Sequence, residues 1–122
     1  MRVLIVDDSR FVRDYLRGLL EEKGIECDEA PDGRAALEHL HSGMHFDLAL
    51  VDWNMPVLNG LETLRQLRAD GFTDLKVMMV TTEAENDYIV RALEAGADEY
   101  LMKPFDNEAL QEKLAMLGLV EA

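Results

Sequence analysis

Basic side chains are scarce in this sequence. Twelve lysines and arginines stand against 25 aspartates and glutamates, a formal charge of −13 over 122 residues. Such a field repels phosphate backbones and anionic membranes, which argues against direct nucleic-acid binding and leaves proteins as the natural partners. Cysteine is nearly absent. Cys27 has no partner for an internal disulfide, in keeping with a reducing, cytoplasmic setting, and reads as a small buried hydrophobe. No apolar run approaches the ~20 residues of a membrane span. The segment Met1 to Asp8 turns acidic too soon for a signal peptide. Repeats, linkers and low-complexity stretches are missing as well. At 48% hydrophobic and 30% charged, the chain reads as one globular domain rather than a disordered segment.

What is present is an alternation. Val3 to Val6, Leu48 to Val51 and Val77 to Val80 are uninterrupted apolar runs of strand length, the pattern of strands buried on both faces. Ile25 and Cys27 alternate with Glu26 and Asp28, as in a half-exposed edge strand. Tyr100 to Met102 is a short fifth run. Between these lie helical stripes: Val12, Leu16, Leu19 and Leu20; Ala36, Leu37 and Leu40; Leu61, Leu64 and Leu67; Tyr88, Ile89, Ala92 and Leu93; Leu110, Leu114 and Leu117. Gly24, Gly43, Gly71 and Gly96 close the first four, and Asp8 or Ser9 can cap the first. Strands alternating with helices predict an α/β fold, a doubly wound five-stranded parallel sheet with helices on both faces. Three central strands and an edge strand near Ile25 favour the flavodoxin-like order 2-1-3-4-5.

The polar residues that end these strands then converge on one rim. Asp7 and Asp8 follow the first strand, Asp52 the third, Thr81 the fourth and Lys103 the fifth. Each alone reads as a cap, a turn acid or a solvated surface residue. Together they exceed what capping requires. Three neighbouring carboxylates repel unless a hard cation lies among them, and Mg²⁺ accepts carboxylate, water and phosphate oxygens. A lysine and a threonine hydroxyl can hold the same phosphoryl oxygens. The set suits formation of an aspartyl-phosphate.

Asp7-Asp8, Val51-Asp52-Trp53-Asn54-Met55-Pro56 with Asn59-Gly60, Val80-Thr81 and Lys103-Pro104-Phe105 together resemble the CheY-like receiver domain of two-component response regulators, over the whole chain. The resemblance implies a single receiver domain over residues 1–122 that accepts a phosphoryl group on Asp52 from a sensor histidine kinase or phosphotransfer protein. Mg²⁺ would be held by Asp7, Asp8, Asp52 and the Asn54 backbone carbonyl, with Lys103 on the phosphoryl oxygens. Thr81 and Tyr100 would be the switch pair, Lys103-Pro104 a cis peptide, and Asn54 with Glu83 the pair that tunes self-dephosphorylation. Output would pass to a target protein over the face of the fourth helix, last strand and last helix, chemotaxis being one such pathway. One position departs from the family: the residue after the switch threonine is usually small and here is Thr82.

Other candidates carry less. His39, His41 and His45 do not share a helix face, so they read as exposed side chains and not a metal site. Met78 and Met79 read as core, and Trp53 as loop packing. Two rivals remain: a receiver module within a larger regulator or hybrid kinase, and an aspartyl-phosphate phosphatase. The phosphatase would need a second acid two residues after the nucleophile, where this chain has Asn54.

Overall fold

The computed structural model describes residues 1–82 and 86–121, and at residue 86 the backbone alone. Strands β1 (Arg2–Val6), β2 (Glu26–Ala30), β3 (Leu48–Asp52), β4 (Lys76–Thr81) and β5 (Glu99–Met102) alternate with helices α1 (Arg10–Glu22), α2 (Gly33–His41), α3 (Gly60–Ala69), α4 (Asn86–Glu94) and α5 (Asn107–Met116). The strands form one parallel sheet in the order β2-β1-β3-β4-β5, as the apolar runs predict. Ile25 lies just ahead of β2 and is nevertheless buried, and β5 begins one residue earlier than its apolar run.

Period-two alternation splits the core in two. Val3, Ile5, Leu48, Leu50, Met78 and Val80 face one side, against Leu16 and Leu20 of α1 and Leu110 and Leu114 of α5. Leu4, Val6, Ala49, Val51, Val77 and Met79 face the other, against Ala36 and Leu40 of α2, Leu64 and Leu67 of α3 and Ala92 of α4. Central strands that must satisfy both layers have no place for polar residues, which explains the unbroken apolar runs.

Helix starts follow ordinary capping chemistry. Ser9, and not Asp8, caps α1 by accepting from the Val12 N–H, which leaves the Asp8 carboxylate free of that task. Asp32 caps α2 and Asp106 caps α5, while Asn59 and Glu62 form a reciprocal capping box on α3. The box starts α3 close to the end of β3. The connection between them is tight: Val57 stands at φ 70° and the Leu58 N–H donates to the Pro56 carbonyl at 2.8 Å. A β-branched residue in that region is a strained γ-turn. His41 and His45 are exposed, as the sequence predicts, and His39 is half-buried; each exposed ring has a carboxylate beside it. His41 bonds Asp70 at 2.8 Å and stands edge-on to Phe72, and His45 contacts Asp47 at 3.3 Å.

Candidate functional site

Parallel register brings the strand tips together. Val6 lies opposite Val51, Asp52 opposite Val80, and Thr81 opposite Met102. The residues that leave these strands therefore share the carboxyl rim, at the switch between β1 and β3. Asp7, Asp52 and Thr81 are buried, at 2%, 7% and 3% exposure, whereas Asp8 is exposed. Carboxylate oxygens of Asp7, Asp8 and Asp52 all lie within 4.8 Å of one another. Among the described residues, no other group of three or more His, Cys, Asp or Glu comes together in this way.

Lys103 ties the site across the sheet. Its ammonium donates to Asp7 Oδ2 at 3.0 Å and to Asp52 Oδ1 at 3.1 Å, while its backbone N–H donates to the Thr81 carbonyl at 2.8 Å. The Lys103-Pro104 peptide is cis. Burial pushes the Asp52 carboxyl up from its ordinary value, the neighbouring charge of Asp7 adds to this, and Lys103 opposes it. For Lys103, burial works against the ammonium, but the bond to Asp7 and the charges of Asp52 and Asp7 together outweigh it and raise its pKa. Three carboxylates and one ammonium leave two negative charges, on oxygen donors alone. That donor set fits a hard divalent cation and does not fit a soft one.

The chain around Asp52 is fixed by its neighbours. The Trp53 N–H donates to the Val80 carbonyl at 3.1 Å, and the Trp53 carbonyl accepts from the Gly60 N–H at 2.9 Å. A Cβ on Gly60 would lie 2.4 Å from the Asp52 carbonyl oxygen. Asn59-Gly60 reads as a turn signal in the sequence; its stronger requirement is this close approach of α3 to the acceptor strand. The Trp53 ring is buried and meets Tyr88 of α4 edge-to-face, centroids 5.2 Å apart. Asp7 is held on every side: its N–H donates to the Ala30 carbonyl, its Oδ1 accepts from the Ser9 N–H, and its carbonyl accepts from Arg13 Nη1 at 2.7 Å. Sequence reasoning missed Arg13, because an arginine in the first turn of a helix, six residues past Asp7, reads as a solvated side chain.

The remaining expected residues divide. Asn54 is exposed two residues past Asp52, and Thr81 sits buried at the β4 tip beside it. Tyr100 is half-buried on β5, one strand from Met79, with the Lys113 ammonium 4.4 Å from its ring centroid. Thr82 is exposed and borders a groove of about 450 Å³ with Phe11, Tyr15, Lys103, Pro104 and Phe105. Glu83 lies outside the described residues.

Fold and site thus define a doubly wound α/β protein with an acidic, lysine-bridged centre at its carboxyl rim. The response regulator receiver domain family matches residues 3–115, and the chain belongs to that family. It is 45% identical over 116 residues to the chemotaxis protein CheY of Pseudomonas aeruginosa, covering 93% of each, and 41% identical to CheY-3 of Vibrio cholerae, covering 93% of this chain and 88% of that one. Among solved structures it superposes on the Vibrio cholerae chemotaxis protein CheY4 with a TM-score of 0.89 at 34% identity, covering 94% and 96% of the two chains. A probable response regulator/GGDEF domain protein gives the same TM-score at 30% identity, but there the match spans 50% of the other chain.

Proposed function

We propose that this protein is a single-domain response regulator, residues 1–122, in which Asp52 takes a phosphoryl group from a phosphohistidine on a sensor histidine kinase or phosphotransfer protein. The observation that carries the reading is the Lys103 ammonium shared between Asp7 and Asp52, with Asp8 alongside. In the transfer, an Asp52 carboxylate oxygen forms the new bond to phosphorus. The N–P bond to the donor histidine breaks, and its electron pair leaves with the imidazole. Burial of Asp52 strips its carboxylate of water and leaves it a readier nucleophile. Lys103 already spans the site and is placed to exchange its bond to Asp52 for one to a phosphoryl oxygen. Asp7, Asp8, Asp52 and the Asn54 backbone carbonyl are the groups that would hold Mg²⁺. When bound, the ion supplies positive charge against the phosphoryl oxygens.

The output is a population shift. Thr81 at the tip of β4 follows the phosphoryl group, Tyr100 fills the space released, and the α4–β5–α5 face changes its affinity for a target protein. Asn54 and Glu83 set the rate at which water removes the group, so the chain catalyses only its own phosphorylation and dephosphorylation. The setting is the cytoplasm. The match to half of a response regulator/GGDEF protein favours one second reading, a receiver module that gates an attached domain. A native gene product longer than 122 residues would decide for that reading.

Incubation with radiolabelled acetyl phosphate or a phosphorylated kinase is expected to label the wild type to one group per chain. The label should require Mg²⁺ and be absent from Asp52→Asn. Equal labelling of Asp52→Asn, or repeated turnover on phosphate esters, would overturn the assignment.

A further inference from the structure

The Asp7 carbonyl belongs to the peptide that joins the two acids of β1's tip, and a side chain from another element has taken hold of it. Arg13, one turn into α1, donates Nη1 to this carbonyl at 2.7 Å and Nε to Glu29 Oε1 at 3.1 Å, with its side chain only 16% exposed. Glu29 is itself anchored. It sits on β2 opposite Ile5, and its second oxygen accepts from Arg17 Nε at 2.7 Å. The other end of Asp7 is pinned to β2 through the Ala30 carbonyl. A fixed peptide plane fixes the position of the next Cα and the direction of its N–Cα bond, leaving only φ to turn the Cα–Cβ bond. Fixing the 7–8 peptide therefore aims the Asp8 carboxylate, which, among the described residues, has no hydrogen bond or ion pair of its own to aim it.

We propose that Arg13, held by Glu29, is a positioning residue for the cation site: by gripping the Asp7 carbonyl it presets Asp8 for the divalent ion. The proposal rests on the reading of the acidic triad as a Mg²⁺ site. It also runs against simple electrostatics. Arg13 is a positive charge beside a cation site, so as a charge alone it weakens divalent binding, and its removal would tighten it. As a positioning group it does the reverse, since partners that orient metal ligands are typically worth 10–100-fold in metal affinity.

Arg17 separates the two accounts. It carries the same charge to the same Glu29 without touching Asp7. Titration of the metal-free protein with MgCl₂, read by calorimetry and by fluorescence of the single tryptophan, Trp53, is expected to give a dissociation constant about tenfold weaker for Arg13→Met. Arg17→Met should stay within about twofold of wild type or bind slightly more tightly. Arg13→Lys keeps the charge and one donor, so it should fall between, and it serves where Arg13→Met does not fold. Unchanged or tighter binding by both Arg13 variants, or equal weakening by Arg17→Met, would overturn the inference. A wild-type protein that binds no Mg²⁺ would instead remove the reading of the site itself.

Discussion

On the β2 side of Asp52, β1 is buried along four of its five residues, and α1 presses Leu16 and Leu20 onto it. Arg13 and Arg17 cross from α1 to Glu29, and Arg2 crosses from β1 to Glu26 and Asp28. On the other side, β5 has one buried residue, Leu101, and among the described residues of α4 the buried one is Ala92, while Val90 and Leu93 stand about half exposed. The far end of α4 is not loose. Arg68 donates to the Gly96, Phe72 and Leu75 carbonyls and pairs with Asp98, which also accepts from the Val77 N–H. α4 is thus held firmly where it runs into β5, and nearer the site, among the described residues, the Tyr88–Trp53 ring contact joins it to the end of β3. An element with few buried apolar groups opens at low free energy. One flank packs tightly around the acids, and the other is the more lightly packed.

The largest effect should come from packing. Leu20→Ala on α1 removes a fully buried side chain and is expected to cost about 2–5 kcal/mol of unfolding free energy. Leu93→Ala on α4, 49% exposed in place, should stay within about 0.5 kcal/mol. Urea titration of both variants decides the matter. Similar losses would mean that α4 is anchored as firmly as α1.

The difference between the flanks also marks what the sequence made legible. The apolar runs required strands buried on both faces, and the residues that ended them had to share a rim, so Asp7, Asp8, Asp52, Thr81 and Lys103 could be placed from pattern alone. The edge character of β2 followed from the alternation of Cys27 with Glu26 and Asp28. What stayed hidden were side chains bonded to distant main-chain carbonyls, such as Arg13 on Asp7 and Arg68 on Gly96. Such bonds leave no period in a sequence, because the acceptor is present in every residue. The partner of the exposed His41 stayed hidden for a related reason: Asp70 lies 29 positions away, on the capping residue of another helix. Gly60 was seen as a turn residue because its real constraint, the Asp52 carbonyl against its Cα, exists only once α3 is docked.

A smaller effect tests the strain held at the junction of the flanks. Burial and the charge of Asp7 raise the Asp52 pKa above its ordinary 3.8. Over the interval between the two values the folded protein binds more protons than the unfolded chain, so stability falls as pH rises through the folded value. At neutral pH the ionised carboxylate is therefore a net burden on the fold. In metal-free buffer, Asp52→Ala is expected to be more stable than wild type at pH 7 by about 0.5–2 kcal/mol. The gain should shrink as pH is lowered through the raised pKa toward 3.8. Denaturation measured across that interval would contradict this if Asp52→Ala were the less stable protein at neutral pH.

The smallest expected effect lies at Thr82, on the more lightly packed flank one residue past β4. Its side chain is exposed at the edge of the groove that Phe11, Tyr15, Lys103, Pro104 and Phe105 also line, so it contributes little to the core. Truncation to alanine should leave stability within about 0.5 kcal/mol. It should act on approach to Asp52 instead. Removing the hydroxyl and methyl widens the mouth, and phosphorylation is expected to quicken a few-fold, less than the tenfold that about 1.4 kcal/mol would bring. A small donor such as acetyl phosphate and a phosphohistidine protein probe that mouth differently. If Thr82 acts by bulk, Thr82→Ala helps the protein donor more than acetyl phosphate. Equal acceleration with both would place its influence on the acceptor chemistry, and a slower rate with both would mean that the Thr82 hydroxyl assists the transfer.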